Sequence, residues 1–339
     1  MKLPIILTLA LAIVAGCSNS STNSPTTTPS NAPPGWSDSL AFAQYSIPSG
    51  FASFGSDIFL ITQDGIYYTT DDGLTVIHRD SGLHFNVVAG SIFTKDNFLF
   101  ASVYGSGFVR STDLGKTWKV LPMGGNYTFV YGNNLYNPSG DGNIPAYRST
   151  DNGDTWTSIS AGLPSGYGKL FVEIGGKFYI TPGISGLWFT STDQGTTWAS
   201  YTGPAISVLS RGSKNSNYTC KAVTADGTTL IGRGTAYTAP DTVALWGAPR
   251  GSDVFTSRMT GFPQIQGITS IVVSGNNVFA AGLYIFHSSD NGMTWTNITP
   301  DKPTASYTTL GIAHGLLFAG GSDIYSQGVL VRRPLSDFN

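Results

Sequence analysis

The chain has 339 residues, of which 11% are charged, with a formal net charge of -2 and a single glutamate, Glu173. That balance excludes both the basic footprint of a nucleic-acid binder and a polyanionic surface. Glycine (42 residues) and aromatics (12%) abound while runs of helix formers are absent, which points to an all-β chain rich in turns.

In chain order, residues 1–16 come first, with a positive start at Lys2 and an apolar run over 3–15 that is too short to span a bilayer as a helix. They read as a signal peptide. The run ends in Val14-Ala15-Gly16-Cys17, which resembles the bacterial lipobox. The resemblance implies cleavage before Cys17, a lipid on that cysteine and membrane attachment through it. Ser18 is not the aspartate that retains lipoproteins in the inner membrane, so the expected location is the cell envelope, lipid-anchored at the outer membrane, on its periplasmic or its outer side. Residues 17–34 are, after Cys17, Ser, Thr, Asn and Pro apart from Ala32, with nothing able to bury a core, so they are expected to form a disordered linker. With Cys17 lipidated, Cys220 has no partner and the fold of residues 35–339 must rest on packing.

That remainder repeats one sentence: STDLGKTW (111–118), STDNGDTW (149–156), STDQGTTW (191–198) and SSDNGMTW (288–295), with a weaker copy upstream, TTDDGLTV (69–76). The aspartates Asp71, Asp113, Asp151 and Asp193 follow one another at 42, 38 and 42 residues, and Asp290 comes after a further 97, two periods with one copy worn away. A period near 40 with several short strands per unit is that of a solenoid or propeller. In residues 271–295 the pattern reads strand, tight turn at Gly275, strand, strand, octapeptide, strand, hence a four-stranded antiparallel blade. The octapeptide joins third strand to fourth. Its aspartate can accept bonds from amides ahead of it, its glycine allows a left-handed backbone, its hydroxyls cross the hairpin mouth and its tryptophan packs between blades.

This pattern resembles the Asp-box, or BNR repeat, of sialidases, sortilin-type receptors, xyloglucanases and the photosystem II assembly factor. The resemblance implies a β-propeller in which the box is a structural loop. The structural set is then Ser111, Asp113, Gly115 and Trp118; Ser149, Asp151, Gly153 and Trp156; Ser191, Asp193, Gly195 and Trp198; and Ser288, Asp290, Gly292 and Trp295. Counting blades gives seven, with a decayed fifth between 217 and 262 and a seventh over 308–338 that has only three strands. Trp36 lies 19 residues before Gly55, as Trp156 lies 19 before Gly175. The expected fold is therefore an all-β, seven-bladed propeller of four-stranded antiparallel blades, its ring closed by an N-terminal strand that opens at Trp36.

Function is less legible. The leading reading is a non-catalytic, extracytoplasmic binding or assembly module for a glycan or a protein, monomeric, with no cofactor, no metal and no nucleic-acid partner; the alternative is a glycoside hydrolase. Against a sialidase, the early Arg-Ile-Pro-like motif is missing, Arg110 and Arg148 sit beside the boxes, and Glu173 is alone. A hydrolase using two aspartates stays open. The four histidines are scattered without metal-ligand spacing. Connections between second and third strands vary most and lie opposite the boxes, so Tyr104, Asp141, Arg233, Tyr237, Asp241, Asp323 and Tyr325 are the candidate ligand residues.

Overall fold

The computed structural model describes residues 36–338 except 45, 85–89, 104, 124–127, 138–145, 165–169, 182–186, 206–217, 234–242, 264–266, 301–305, 324 and 326. Cys17, Tyr104, Asp141, Tyr237 and Asp241 lie outside the described residues. The described strands form seven four-stranded antiparallel sheets. Blade 1 holds Gly50–Phe54, Asp57–Ile61, Ile66–Thr69 and Ile77–His78, in that order from inner to outer edge. Blades 2 to 6 repeat it over residues 92–120, 129–158, 170–200, 218–257 and 268–297.

Radial position sets composition. The second strand of each blade is covered on both faces by neighbouring blades, so it is apolar at successive rather than alternate positions, as in Phe98–Val103 (FLFASV) and Asn277–Gly282 (NVFAAG). The outer strands of blades 1 to 6 are two residues long and exposed, as in Thr157–Ser158 and Thr256–Ser257. Such short outer strands leave little free edge for another chain to pair with.

Blade 7 consists of Ser306–Ala313, Leu316–Ser322 and Gln327–Pro334, and its fourth strand is Ser37–Gln44 from the other end of the chain. Ser37 pairs with Arg332, Asp38 with Val331, Ala41 with Val329 and Gln44 with Gln327, with irregularities between. Trp36, 5% exposed, packs among Phe279, Ile285, Leu317 and Val331.

Its indole repeats an arrangement found at two of the four octapeptide tryptophans, Trp118 and Trp198, while Trp156 donates within its own loop and Trp295 Nε1 has no partner among the described residues. Trp118 Nε1 donates to the Arg79 carbonyl at 2.7 Å and Trp198 Nε1 to the Ile159 carbonyl at 2.6 Å. In both, the acceptor lies three residues past the preceding blade's tryptophan position. Trp36 Nε1 donates to the Ile298 carbonyl at 2.7 Å, and Ile298 is three residues past Trp295. Trp36 is therefore blade 7's tryptophan in packing as well as in spacing. The connection after Gln327–Pro334 carries no octapeptide; a 3-10 turn, Leu335–Phe338, lies there, with Phe338 against Phe279 and Arg333 over the Phe338 ring.

Candidate functional site

The octapeptides close on themselves. In blade 3, Ser149 Oγ donates to Asp151 Oδ1 at 2.8 Å and accepts the Gly153 amide at 2.8 Å. Asp151 Oδ1 accepts the Thr155 amide at 2.9 Å, and Oδ2 accepts the Thr155 hydroxyl at 2.6 Å. The same four bonds recur around Asp113, Asp193 and Asp290, and around Asp71 in the weak copy. Every carboxylate oxygen is engaged within its own loop.

Two consecutive residues of each loop have positive φ, for example Asn152 at 57° and Gly153 at 90°. The glycine also allows a close approach, since a Cβ on Gly153 would sit 2.7 Å from Leu121 Cδ1 of the preceding blade. In blade 5, where the octapeptide has decayed, Phe255 occupies the tryptophan position. There Tyr201 of blade 4 donates to Asp253 at 2.7 Å, so a hydroxyl from outside the loop ties it down.

The threonine hydroxyls Thr117, Thr155 and Thr197, followed by the amides of the same residues, bring the Asp113, Asp151 and Asp193 carboxyls down to about 2 from an ordinary 3.8. For Asp71 and Asp290, burial pushes the carboxyl up, but hydrogen bonds from Thr75 and Thr294 outweigh it and the pKa falls below the ordinary value. Groups with folded pKa below unfolded pKa stabilise above the unfolded value and lose that contribution as pH falls through the folded one. Stability measured by urea unfolding is expected to decline progressively between pH of about 4 and about 2. Asp151→Asn is expected to decline less steeply than wild type over the same window. Parallel profiles for the two proteins would show that these bonds do not favour the ionised form.

Glu173, on the inner strand Leu170–Ile174 of blade 4, is also engaged. It accepts the Gly176 amide at 2.6 Å and pairs with Lys221 on the inner strand of blade 5, whose Nζ also donates to the Glu173 carbonyl at 2.6 Å. The pair replaces a hydroxyl contact used elsewhere: Thr94 donates to the Ser53 carbonyl of blade 1 and Ser53 to the Ile312 carbonyl of blade 7. Glu173 serves as an interblade tie.

Four-stranded meanders place the octapeptides and the turns between first and second strands on one face, and the connections between second and third strands on the other. On that other face, three sequence-predicted residues are described. Arg233 ends the second strand of blade 5 and is buried rather than presented to solvent. Asp323 Oδ1 accepts the amides of Tyr325 and Gln327 at 2.8 Å each, shaping its own turn. Tyr325 is 69% exposed, the most exposed large apolar side chain among the described residues.

The structure adds two neighbours that the sequence reading missed. Leu283 and Tyr284, 50% and 37% exposed, form the corresponding turn of blade 6, next to blade 7. Leu283, Tyr284 and Tyr325 thus stand exposed on the corresponding turns of two successive blades. The available signal was a Leu-Tyr pair at a hairpin tip, where polar turn residues are the rule.

A second missed group sits in the corresponding turn of blade 1. Asp64 accepts from Ser46 at 2.6 Å, Thr62 at 2.5 Å and Tyr67 at 2.9 Å. Burial raises the Asp64 carboxyl, but these bonds outweigh it and lower its pKa; burial and then the Asp64 charge push the Tyr67 phenol up to about 12. A tyrosine nucleophile paired with a carboxylate needs the opposite shifts, a more acidic phenol and a more basic partner. The group is poised as a clamp on the turn.

No protein-family model and no curated protein matches the chain. Among solved structures, it is similar to YCF48 bound to a D1 peptide, at 15% identity and a TM-score of 0.59, over 88% of this chain and 96% of that one. It is also similar to the extracellular domain of the one component system BT4673 from B. thetaiotaomicron, at 12% identity and a TM-score of 0.61, over 88% of this chain and 40% of that one. A third is the GH74 xyloglucanase from Xanthomonas campestris, at 15% identity and a TM-score of 0.62, over 90% of this chain and 54% of that one. At such identities the likeness carries the fold, and the chain is a seven-bladed β-propeller.

Proposed function

We propose that this propeller is a non-catalytic binding or assembly module, held at the outer membrane of a bacterial cell envelope by a lipid on Cys17. Its ligand, a protein segment or a glycan, is received on the face opposite the octapeptides. The observation that carries this reading is the contrast between the two faces. The octapeptide carboxylates are consumed by their own loops, while Leu283, Tyr284 and Tyr325 are exposed on neighbouring turns of the other face. Large aromatic side chains left in solvent on rigid supports are the usual anchors of a binding surface. The YCF48 structure contains a bound peptide, which supports a protein ligand over a glycan.

The test is a screen of the protein against glycan and peptide arrays, with hits retested on Tyr284→Ser/Tyr325→Ser and assayed for hydrolysis. Binding is expected to fall at least tenfold in the double variant, with the melting temperature unchanged and hits left intact. Cleaved hits would establish the glycoside hydrolase instead, and hits unaffected by the double variant would place the ligand elsewhere. In cells, Cys17→Ser is expected to move the protein from the membrane to the soluble fraction, since one acyl-bearing cysteine is its whole anchor in this account; unchanged fractionation would remove the lipid from it.

A further inference from the structure

Among the described residues, an arginine reaches from one blade onto the octapeptide of the next at three seams. Between blades 2 and 3, Arg110 Nη1 donates to the Asn152 carbonyl at 2.7 Å, and its two terminal nitrogens grip Asp154 at 3.1 Å each. Between blades 7 and 1, Arg332 Nη1 donates to the Asp72 carbonyl at 2.8 Å and lies 3.8 Å from the Asp72 carboxylate. Each of these cations has an anion. Between blades 5 and 6 the cation is Arg258, and its Nη1 lies against Met293 Sδ.

Met293 stands where Asp154 stands, three residues past the octapeptide aspartate. Arg258 comes from the end of its blade's outer strand, yet it fills the space that Arg110 fills. Arg110 pairs with Lys119, the first outer-strand residue of blade 2, and the residue so paired in blade 5, opposite Thr256, is Gly247. A Cβ on Gly247 would lie 2.4 Å from Arg258 Nε, so the missing side chain is what makes room for the guanidinium. Arg258 is 8% exposed, and its Nε, like that of Arg110, is buried without a hydrogen-bond partner, so the difference between the two seams lies at the terminal nitrogens. None of the ion pairs among the described residues includes it. The carboxylate of the adjoining octapeptide, Asp290, is taken by Ser288 and Thr294.

A thioether is a weak acceptor, and a buried cation without a counter-charge is costly. The 2/3 seam shows what the 5/6 seam lacks. We propose that Arg258 is a carboxylate-binding site, completed by an acid from outside the chain that takes the place of the Asp154 carboxylate. Met293, half exposed, is the side chain that yields to admit it. A planar carboxylate matches the guanidinium fork in two parallel bonds. The acid is either a small free carboxylate or an acidic residue of a protein, and the site is separate from the exposed turns of blades 6 and 7 on the opposite face.

The experiment measures the melting temperature of wild type, Met293→Asp and Arg258→Leu in sodium chloride, in sodium acetate and in chloride with tetraglutamate added, all at one ionic strength. Wild type is expected to melt about 2 °C higher, saturably, when carboxylate is present. Met293→Asp, which supplies the acid from within the chain, is expected to start higher and to be insensitive. Arg258→Leu is expected to be insensitive as well. A response to tetraglutamate at concentrations far below those needed with acetate identifies an acidic protein segment, and equal responses per carboxylate identify a small acid. Wild type indifferent to both probes, or all three proteins shifting together, overturns the proposal even if Arg258→Leu fails to fold, because Met293→Asp and wild type decide it between them.

Discussion

Deleting residues 35–47 is expected to leave a protein that aggregates or melts early. The deletion removes Ser37–Gln44, which among the described strands is what pairs with the outer edge of Gln327–Pro334, and turns a paired eight-residue strand into a free edge. It also removes Trp36, whose ring fills the space between blades 6 and 7 and whose indole holds the Ile298 carbonyl. Truncating a buried tryptophan costs about 3–5 kcal/mol, so Trp36→Ala alone is expected to approach that figure. The seam between blades 7 and 1 retains other ties, including Ser53 to the Ile312 carbonyl and Phe51 against Phe318 at 5.5 Å. The deletion is therefore expected to weaken and expose blade 7 rather than to open blade 1. Deleting residues 18–34 is expected to change nothing in the melting curve. Equal stability of the two deletions would show that the N-terminal strand does not close the ring.

Phe178→Ala is expected to cost about 3–5 kcal/mol, read as a lower urea midpoint with an unchanged m-value. Phe178 is fully buried between blades 3 and 4, where five aromatic rings meet. Its centroid lies 4.7 Å from Tyr136, 5.3 Å from Tyr131 and from Phe171, and 6.2 Å from Phe129, in edge-to-face arrangements. The surrounding rings are rigid and belong to two sheets, so they cannot collapse into the space left behind. Phe178→Leu, which keeps most of the volume, is expected to cost less than half as much. A cost for Phe178→Ala below 1 kcal/mol would mean that this aromatic cluster is not a packed core.

The ring was legible because its units are local. Each octapeptide satisfies its own hydrogen bonds within a few residues, so sequence alone carries the loop, and the spacing of its copies carries the blades. Trp36 was legible for the same reason, its distance to Gly55 repeating that from Trp156 to Gly175. The decayed fifth blade was found by its strands, but the way it compensates was not, since Tyr201 reaches Asp253 from 52 residues away. The other ties between blades are equally non-local: Arg110 with Asp154, Lys221 with Glu173, Arg332 with Asp72. Nothing in the local text marks them.

The left-handed residue before each octapeptide glycine was hidden by its variety, Leu114 and Gln194 standing where Asn152 and Asn291 stand. Among the candidate ligand residues, loop position alone does not show that Arg233 is buried at the end of the second strand, or that one oxygen of Asp323 is taken by its own turn. Loop length also understates Leu283 and Tyr284, which occupy a two-residue turn yet stand exposed.

The central claim is that the octapeptides serve the architecture, and the unfolding free energy of Asp290→Ala tests it most directly. Asp290 accepts from Ser288, from the Thr294 hydroxyl at 2.6 Å and from the amides of Thr294 at 2.9 Å and Met293 at 3.0 Å, so removing its carboxylate takes the acceptor from two backbone donors and two hydroxyls. The account predicts a loss of about 1–3 kcal/mol in urea unfolding at neutral pH. An unfolding free energy equal to that of wild type would contradict it and return the aspartates to the list of functional groups.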